Sequence, residues 1–235
     1  MLLAYESRCV LVAMAKEMEL LKSSISEGLT SEHGRAFDYM LGKVGKNEVI
    51  IQLCGIGKVN SALGAAELIT RYEPDIIVST GVAGSIDENV HTGESVMGVW
   101  YRYHDVFCGN ELAKGQVQGM PSAFITQEVG VNAKGDLLFK IHEILKRKVK
   151  IAGILSGDQF ITNKTKREEL KREFSLASAV DMESCSIAHT CFLYKVPFVA
   201  IRIISDDCSD EQYEDFWDNV AKWSFNNTKK ILESL

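Results

Sequence analysis

The stretch "VIIQLCGIGKVNSALGAAELITRY" (Val49–Tyr72) decides the fold class. Its first six residues form a nearly continuous apolar run, the pattern of a strand covered on both faces rather than one half open to water. Glycines at 55 and 57 interrupt the run, and a helical pattern follows over Lys58–Tyr72. The same succession recurs along the chain. Strands are expected near Cys9–Met14, Phe37–Val44, Val49–Cys54, Asp75–Thr80, Ser95–Arg102, Ile151–Leu155, Ala179–Val180 and Phe198–Ile204. Helices fit Lys16–Ser23, Lys58–Tyr72, Lys134–Lys148, Lys164–Glu173, Met182–Lys195 and roughly Glu211–Leu235. Strands alternating with helices predict an α/β fold: one three-layer α/β/α domain over residues 1–235 with a central sheet. Val106–Asn132 has little periodicity, and loops of that length in compact domains are usually functional, structured by a partner, or misread.

Composition narrows the function classes. With 46% hydrophobic and 25% charged residues the chain is ordinary globular material. A net charge of −6 argues against a nucleic-acid partner. Its most basic run, Lys146–Lys150, closes a helical pattern, where cations complement the helix dipole. No apolar stretch approaches the roughly 20 residues of a membrane span. Glu6 and Arg8 interrupt the opening segment, which makes a poor signal peptide, so a cytoplasmic protein is expected. The 6 cysteines include no C-x-x-C pair and read as reduced thiols. Cys185, His189 and Cys191 lie close in sequence, but their spacing does not gather three ligands on one helix face, so no zinc site is expected.

In folds of this class ligands collect at the carboxyl ends of strands. Those ends here read "AMAKE" (13–17), "CGIGK" (54–58), "TGVAGS" (80–85), "LSGDQF" (155–160), "VDMES" (180–184) and "IISDD" (203–207). They bring three candidate carboxylates, Glu17, Glu183 and Asp206, toward one end of the sheet, a set suited to acid–base work on a small polar ligand. "GIGK" lacks the full Walker pattern and "GVAGS" the full dinucleotide fingerprint, so neither a P-loop nor a dinucleotide fold is supported. A tight strand-to-helix turn and a close backbone approach to a ligand both fit these glycines.

Taken in order, these segments resemble the 5′-methylthioadenosine/S-adenosylhomocysteine nucleosidases of the purine nucleoside phosphorylase superfamily. "AMAKEMELL", "CGIGKVNSALGA", "STGVAGS", "RYHD" (102–105), "LSGDQFI", "VDMES" and "RIISDD" follow in register. The resemblance implies a phosphorylase/nucleosidase-like fold with a mixed sheet, no cofactor, and hydrolysis of the N-glycosidic bond of 5′-substituted adenine nucleosides. It implies that Asp206 protonates N7 of the leaving adenine and that Glu17 deprotonates the attacking water. Glu183 would accept hydrogen bonds from the ribose hydroxyls, with Met182 against the sugar and Met14 also in the substrate-binding set. Phe160 would stack on the purine and the Ile161 backbone would read its edge. Ala83, Gly84 and Ser205 would complete the pocket, Arg202 would sit on its water side, and Tyr213 would line the space for the 5′ substituent. It further implies a homodimer whose 106–120 loop reaches the neighbour's pocket.

Each residue has a plainer use. Glu17 and Asp181 suit first helical turns, Asp206 and Asp207 suit helix caps, and the methionines and aromatics suit a core. His104 is expected to hydrogen-bond structurally, because the chemistry already has its acid and base. Asp206 needs a raised pKa to carry a proton, through burial or through Asp207.

The main rival is a phosphorylase; a non-catalytic nucleoside binder is a more distant one, and both Glu17 and Asp206 being present speaks against it. Phosphate would share its space with Glu17. At an effective dielectric of 20, two like charges 4 Å apart repel by about 4 kcal/mol, which favours water. Two departures from the family pattern stand out: Val82 where serine is usual, and Gln118 where proline is expected in a slightly shorter loop. They leave the 5′ substituent open among methylthio, homocysteinyl, plain 5′-deoxy and futalosine-type groups.

Overall fold

The computed structural model describes residues 7–126, 141–145, 149–206 and 213–234. Its strands are β1 (Ser7–Val12), β2 (Glu27–His33), β3 (Asp38–Val44), β4 (Asn47–Leu53), β5 (Ile76–Ser85), β6 (Ser95–Tyr103), β7 (Phe124–Ile125), β8 (Val149–Ser156), β9 (Ala177–Asp181) and β10 (Phe198–Asp206). Its helices are α1 (Ala15–Lys22), α2 (Lys58–Tyr72), α3 (Lys164–Glu173), α4 (Ser184–Tyr194) and α5 (Tyr213–Ser234), and residues 141–144 are helical as well.

All ten strands form one mixed sheet. β1 lies parallel between β4 and β5, and β10 lies parallel to β5 and antiparallel to β6. From β6 the sheet continues through β8 to β9, and β9 pairs back onto β5. Thus β5, β10, β6, β8 and β9 close into a small barrel, and β1, β4, β3 and β2 extend from it as an open flap. Closure brings the carboxyl ends of β5, β9 and β10 together.

The strands are as apolar as expected of doubly covered ones: Cys9–Val12, Ile76–Val78 and Val199–Ile201 are buried. α4 is buried over most of Ser184–Cys191 and exposed in its last three residues, its small residues packing on α2, where the Ser61 and Ser186 hydroxyls meet at 2.7 Å. α5 packs across β5, Thr80 meeting Ser224 at 3.0 Å and Thr228 at 2.6 Å. Among the described residues no helix is long and apolar enough to cross a membrane.

Three expectations change. β2 was not foreseen: it is an exposed polar edge strand, paired on one side to β3, and gives no hydrophobic period. "TGVAGS" is no turn, because β5 runs through it to Ser85 and pairs with both β9 and β10. Lys150 does not close a helix but is the second residue of β8, its Nζ pairing with Asp87 at 3.1 Å. Residues 134–140 and 146–148 of the expected helix, and Asp207, lie outside the described residues.

Candidate active site

Where β5, β9 and β10 end, a cavity of about 110 Å³ opens. Met14, Glu17, Ala83, Gly84, Phe160, Ile161, Met182, Glu183, Arg202, Ser205 and Asp206 all line it. The side chain of Tyr213 lies outside the described residues. Ala13, Cys54, Ile56, Ser79, Val82, Gln159, Asp181 and Ile187 also contribute to the wall.

Glu17 enters from the first turn of α1. The backbone N–H of Met14, the extended residue before that helix, donates to its Oε2 at 3.2 Å. Its Oε1 is buried without a hydrogen-bond partner. Burial raises its pKa to about 7 against the lowering influence of nearby Arg202. A Cβ on Gly81 would stand 2.9 Å from Oε1, so glycine leaves room for the carboxylate.

Asp206 ends β10 on the other side of the sheet's closure. The β5–β10 register slips between Ile204 and Asp206, so that Ile204 faces Ala83 and Asp206 faces Gly84. Such a bulge re-aims a side chain at a strand's end. The carboxyl is buried, and the hydroxyl of Ser205 donates to its Oδ2 at 2.8 Å.

Glu183 caps α4 and accepts at Oε1 from the backbone N–H of Gly57, 2.9 Å away. Gly57 stands at φ +92, a conformation that suits glycine. The "CGIGK" glycines therefore make a tight turn whose amide grips a cavity-lining carboxylate. Burial, then the neighbouring Asp181, raises the Glu183 pKa to about 7.

Asp181 carries more than the helix-start role expected of it. Its Oδ1 accepts from the Ser156 hydroxyl at 2.5 Å and from the Ser184 amide at 3.2 Å. Its Oδ2 accepts from Arg202 Nε at 2.8 Å. Arg202 also donates Nη2 to Ser79 Oγ at 2.9 Å and Nη1 to the Ile201 carbonyl at 3.3 Å. Every nitrogen of this buried guanidinium is thus already engaged within the protein. The ion pair eluded sequence reasoning because its partners lie in separate strands; an acid ending one apolar run and an arginine inside another were the available signal.

His104 stays outside the cavity lining, its Nε2 buried without a hydrogen-bond partner. Phe160, expected to stack on a base, is 60% exposed at the cavity rim.

Comparison with known proteins matches residues 7–235 to the phosphorylase superfamily. A 5′-methylthioadenosine/S-adenosylhomocysteine nucleosidase of Staphylococcus aureus (strain MRSA252) is 32% identical over 235 residues, covering 96% of this chain and 99% of its own. The crystal structure of a nucleosidase of the same name from Neisseria meningitidis, in complex with methylthio-immucillin-A, superposes with a TM-score of 0.90. It is 28% identical and covers 98% of this chain and 100% of its own. The native futalosine hydrolase of Helicobacter pylori strain 26695 gives a TM-score of 0.89 at 25% identity, over 98% and 99% of the two chains. The chain belongs to the phosphorylase superfamily and, within it, to the 5′-methylthioadenosine/S-adenosylhomocysteine nucleosidases.

Proposed function

We propose that this protein hydrolyses 5′-substituted adenine nucleosides such as 5′-methylthioadenosine and S-adenosylhomocysteine, releasing adenine and the 5′-substituted ribose. The observation that supports the reading is the meeting of Glu17 and Asp206 in one cavity whose only lining cation among the described residues, Arg202, is bonded to Asp181 and Ser79.

The chemistry divides between the two carboxyls. As the bond from the anomeric carbon to N9 breaks, its electron pair goes to the purine, and Asp206 supplies a proton to N7 so that a neutral base departs. A water oxygen bonds to the anomeric carbon, and Glu17 takes its proton. A base with a pKa of about 7 is half ionised near neutrality, which is where general bases work best. Glu183 accepts from the ribose hydroxyls and stabilises the positive charge that builds on the sugar. Met14 and Met182 pack on the sugar, and Phe160 and Ile161 bind the base, with Ala83, Gly84 and Ser205 closing the wall.

Phosphate in place of water is disfavoured, because it would face Glu17 and would need more donors than the N–H groups Arg202 has left after bonding Asp181, Ile201 and Ser79. Val82 offers no hydroxyl in their stead. Incubation with methylthioadenosine in phosphate-free buffer tests the reading. Adenine release supports it, release only on adding phosphate makes the protein a phosphorylase, and binding without release makes it a nucleoside binder.

A homodimer is part of the proposal. Val59 and Leu63 on α2, Ile56 in the turn before it and Phe107 in the loop after β6 are exposed and apolar, and Ile56 also lines the cavity. A second copy covering this face would close the cavity mouth, and its 106–120 loop would set the 5′ preference. Methylthioadenosine, S-adenosylhomocysteine, 5′-deoxyadenosine and a futalosine compared as substrates resolve that preference. The free thiols at Cys9, Cys54, Cys108, Cys185 and Cys191 support a reducing, cytoplasmic setting.

A further inference from the structure

Beside the cavity lies a charged cluster that the proposed chemistry does not use. Lys58, the first residue of α2, directs Nζ to Asp105 Oδ2 at 2.7 Å and stands 3.8 Å from Asp158 Oδ2. Asp105 Oδ2 also accepts from the backbone N–H of Asp158 at 2.9 Å. Asp158 Oδ1 in turn accepts from the backbone N–H of Lys58 at 2.8 Å. Three segments distant in sequence are thereby joined: the residues after β6, the start of α2 and the residues after β8.

The joined segments are those that carry the cavity walls. The first two amides at the start of α2 serve different carboxylates, Gly57 donating to Glu183 and Lys58 to Asp158. Glu183 stands on the sugar side of the proposed site. Asp158 immediately precedes Gln159, Phe160 and Ile161, which line the base side. One helix end therefore spaces both halves of the pocket. Lys58 lies between Asp105 and Asp158, offsetting the repulsion these carboxylates would otherwise exert on each other. It is three-quarters buried, with Nζ 5.5 Å from the centre of the Tyr103 ring. The segment is tightly seated: a Cβ on Gly157 would come within 2.5 Å of His104 Nε2 and 2.9 Å of Asp105 Cγ.

We infer that Lys58 and Asp105 are positioning residues for the base-binding segment 158–161, holding it against the α2 end that orients Glu183. The inference rests on the nucleosidase reading, because it takes this segment to meet adenine. Removing the lysine leaves Asp105 and Asp158 facing each other, and the segment moves away from the base while Glu17 and its surroundings stay in place.

The test uses the full chain with Lys58→Met, Lys58→Arg, Asp105→Asn and the Lys58→Met/Asp105→Asn double variant. Calorimetry gives the Kd for free adenine, and initial rates on methylthioadenosine give kcat and KM. Lys58→Met is expected to raise both the adenine Kd and KM about tenfold, as for loss of a charge-assisted contact, with kcat changed less than about threefold. The acid limb of the pH profile stays in place. Lys58→Arg restores most of the affinity, and the double variant binds adenine more tightly than Lys58→Met because the unpaired carboxylate is gone.

Adenine affinity within twofold of wild type in a folded Lys58→Met protein overturns the inference. So does a parallel fall of kcat, affinity and melting temperature that arginine does not rescue. If Lys58→Met does not fold, Asp105→Asn decides by the same adenine Kd. A wild-type protein that releases no adenine sinks the nucleosidase reading instead, and that result is separate from the variant comparison.

Discussion

Glu17 shows what a buried carboxyl costs the fold and what the proposed chemistry would gain from it. Burial raises its pKa to about 7 from the ordinary 4.5. The folded protein thus binds this proton more tightly than the unfolded chain does. Its contribution is fully present below pH 4.5 and is lost as pH rises through about 7, to a cost on the order of 2–3 kcal/mol at pH 8. Glu17→Gln removes the ionisation. We expect it to melt about 3–8 °C above wild type at pH 8, with little difference at pH 4.5, while adenine release falls at least ~100-fold. Thermal melts at the two pH values check the first claim; equal shifts at both would show that ionisation is not the cause. For the wild type, kcat/KM reports the free enzyme, so it should rise at least ~tenfold between pH 5 and 7 as Glu17 and Glu183 ionise. A flat profile over that range would remove Glu17 as the base. Asp206→Asn keeps the shape but not the transferable proton, and turnover on adenine nucleosides should fall by about 10²–10⁴-fold. Near-normal initial rates would reject the acid role.

At the scale of the element, the cavity's carboxylates sit at helix starts and a strand end rather than in helix interiors. The α2 start is the clearest case: Gly57 adopts φ +92 and points its N–H at Glu183. Gly57→Ala would strain that conformation by about 1–2 kcal/mol and set a Cβ 2.9 Å from Asp158 Oδ1. We expect a lower melting temperature together with a KM for methylthioadenosine raised several-fold; a variant destabilised but with KM unaltered would separate the turn from substrate binding. The same scale marks what was readable beforehand. Continuous apolar runs identified β1, β4, β8 and β10 because strands covered on both faces have no polar side. β2 gave no such run, since Glu27–His33 lies almost wholly in solvent at the sheet's edge. The glycines of "TGVAGS" suggested a turn, whereas closure of the barrel kept them extended between β9 and β10. Glu17, Glu183 and Asp206 were legible from strand-end position and family resemblance. The Asp181–Arg202 pair was not, because it depends on which strands become neighbours.

For the whole molecule, closing β5, β10, β6, β8 and β9 on one another collects residues from Ala13 to Asp206 around one cavity. In the proposed dimer, a second copy seated on the exposed Ile56, Val59 and Leu63, of which Ile56 lines that cavity, would complete the site. Sedimentation velocity at micromolar concentration should give a dimer for the wild type. Leu63→Asp should shift the protein toward monomer and raise KM, since a carboxylate set into an apolar interface stays unpaired. A fully active monomeric wild type would contradict this. In the proposed mechanism an acid protonates the leaving base while a base on the opposite side activates water against the same sugar–base bond. The most direct measurement of that arrangement is a crystal structure with a non-hydrolysable methylthioadenosine analogue. The account predicts an Asp206 oxygen within about 2.6–3.2 Å of the atom at the N7 position and Glu17 across the sugar ring, beside the anomeric carbon. An analogue bound with that atom turned away from Asp206, or with Glu17 remote from the anomeric carbon, would contradict it.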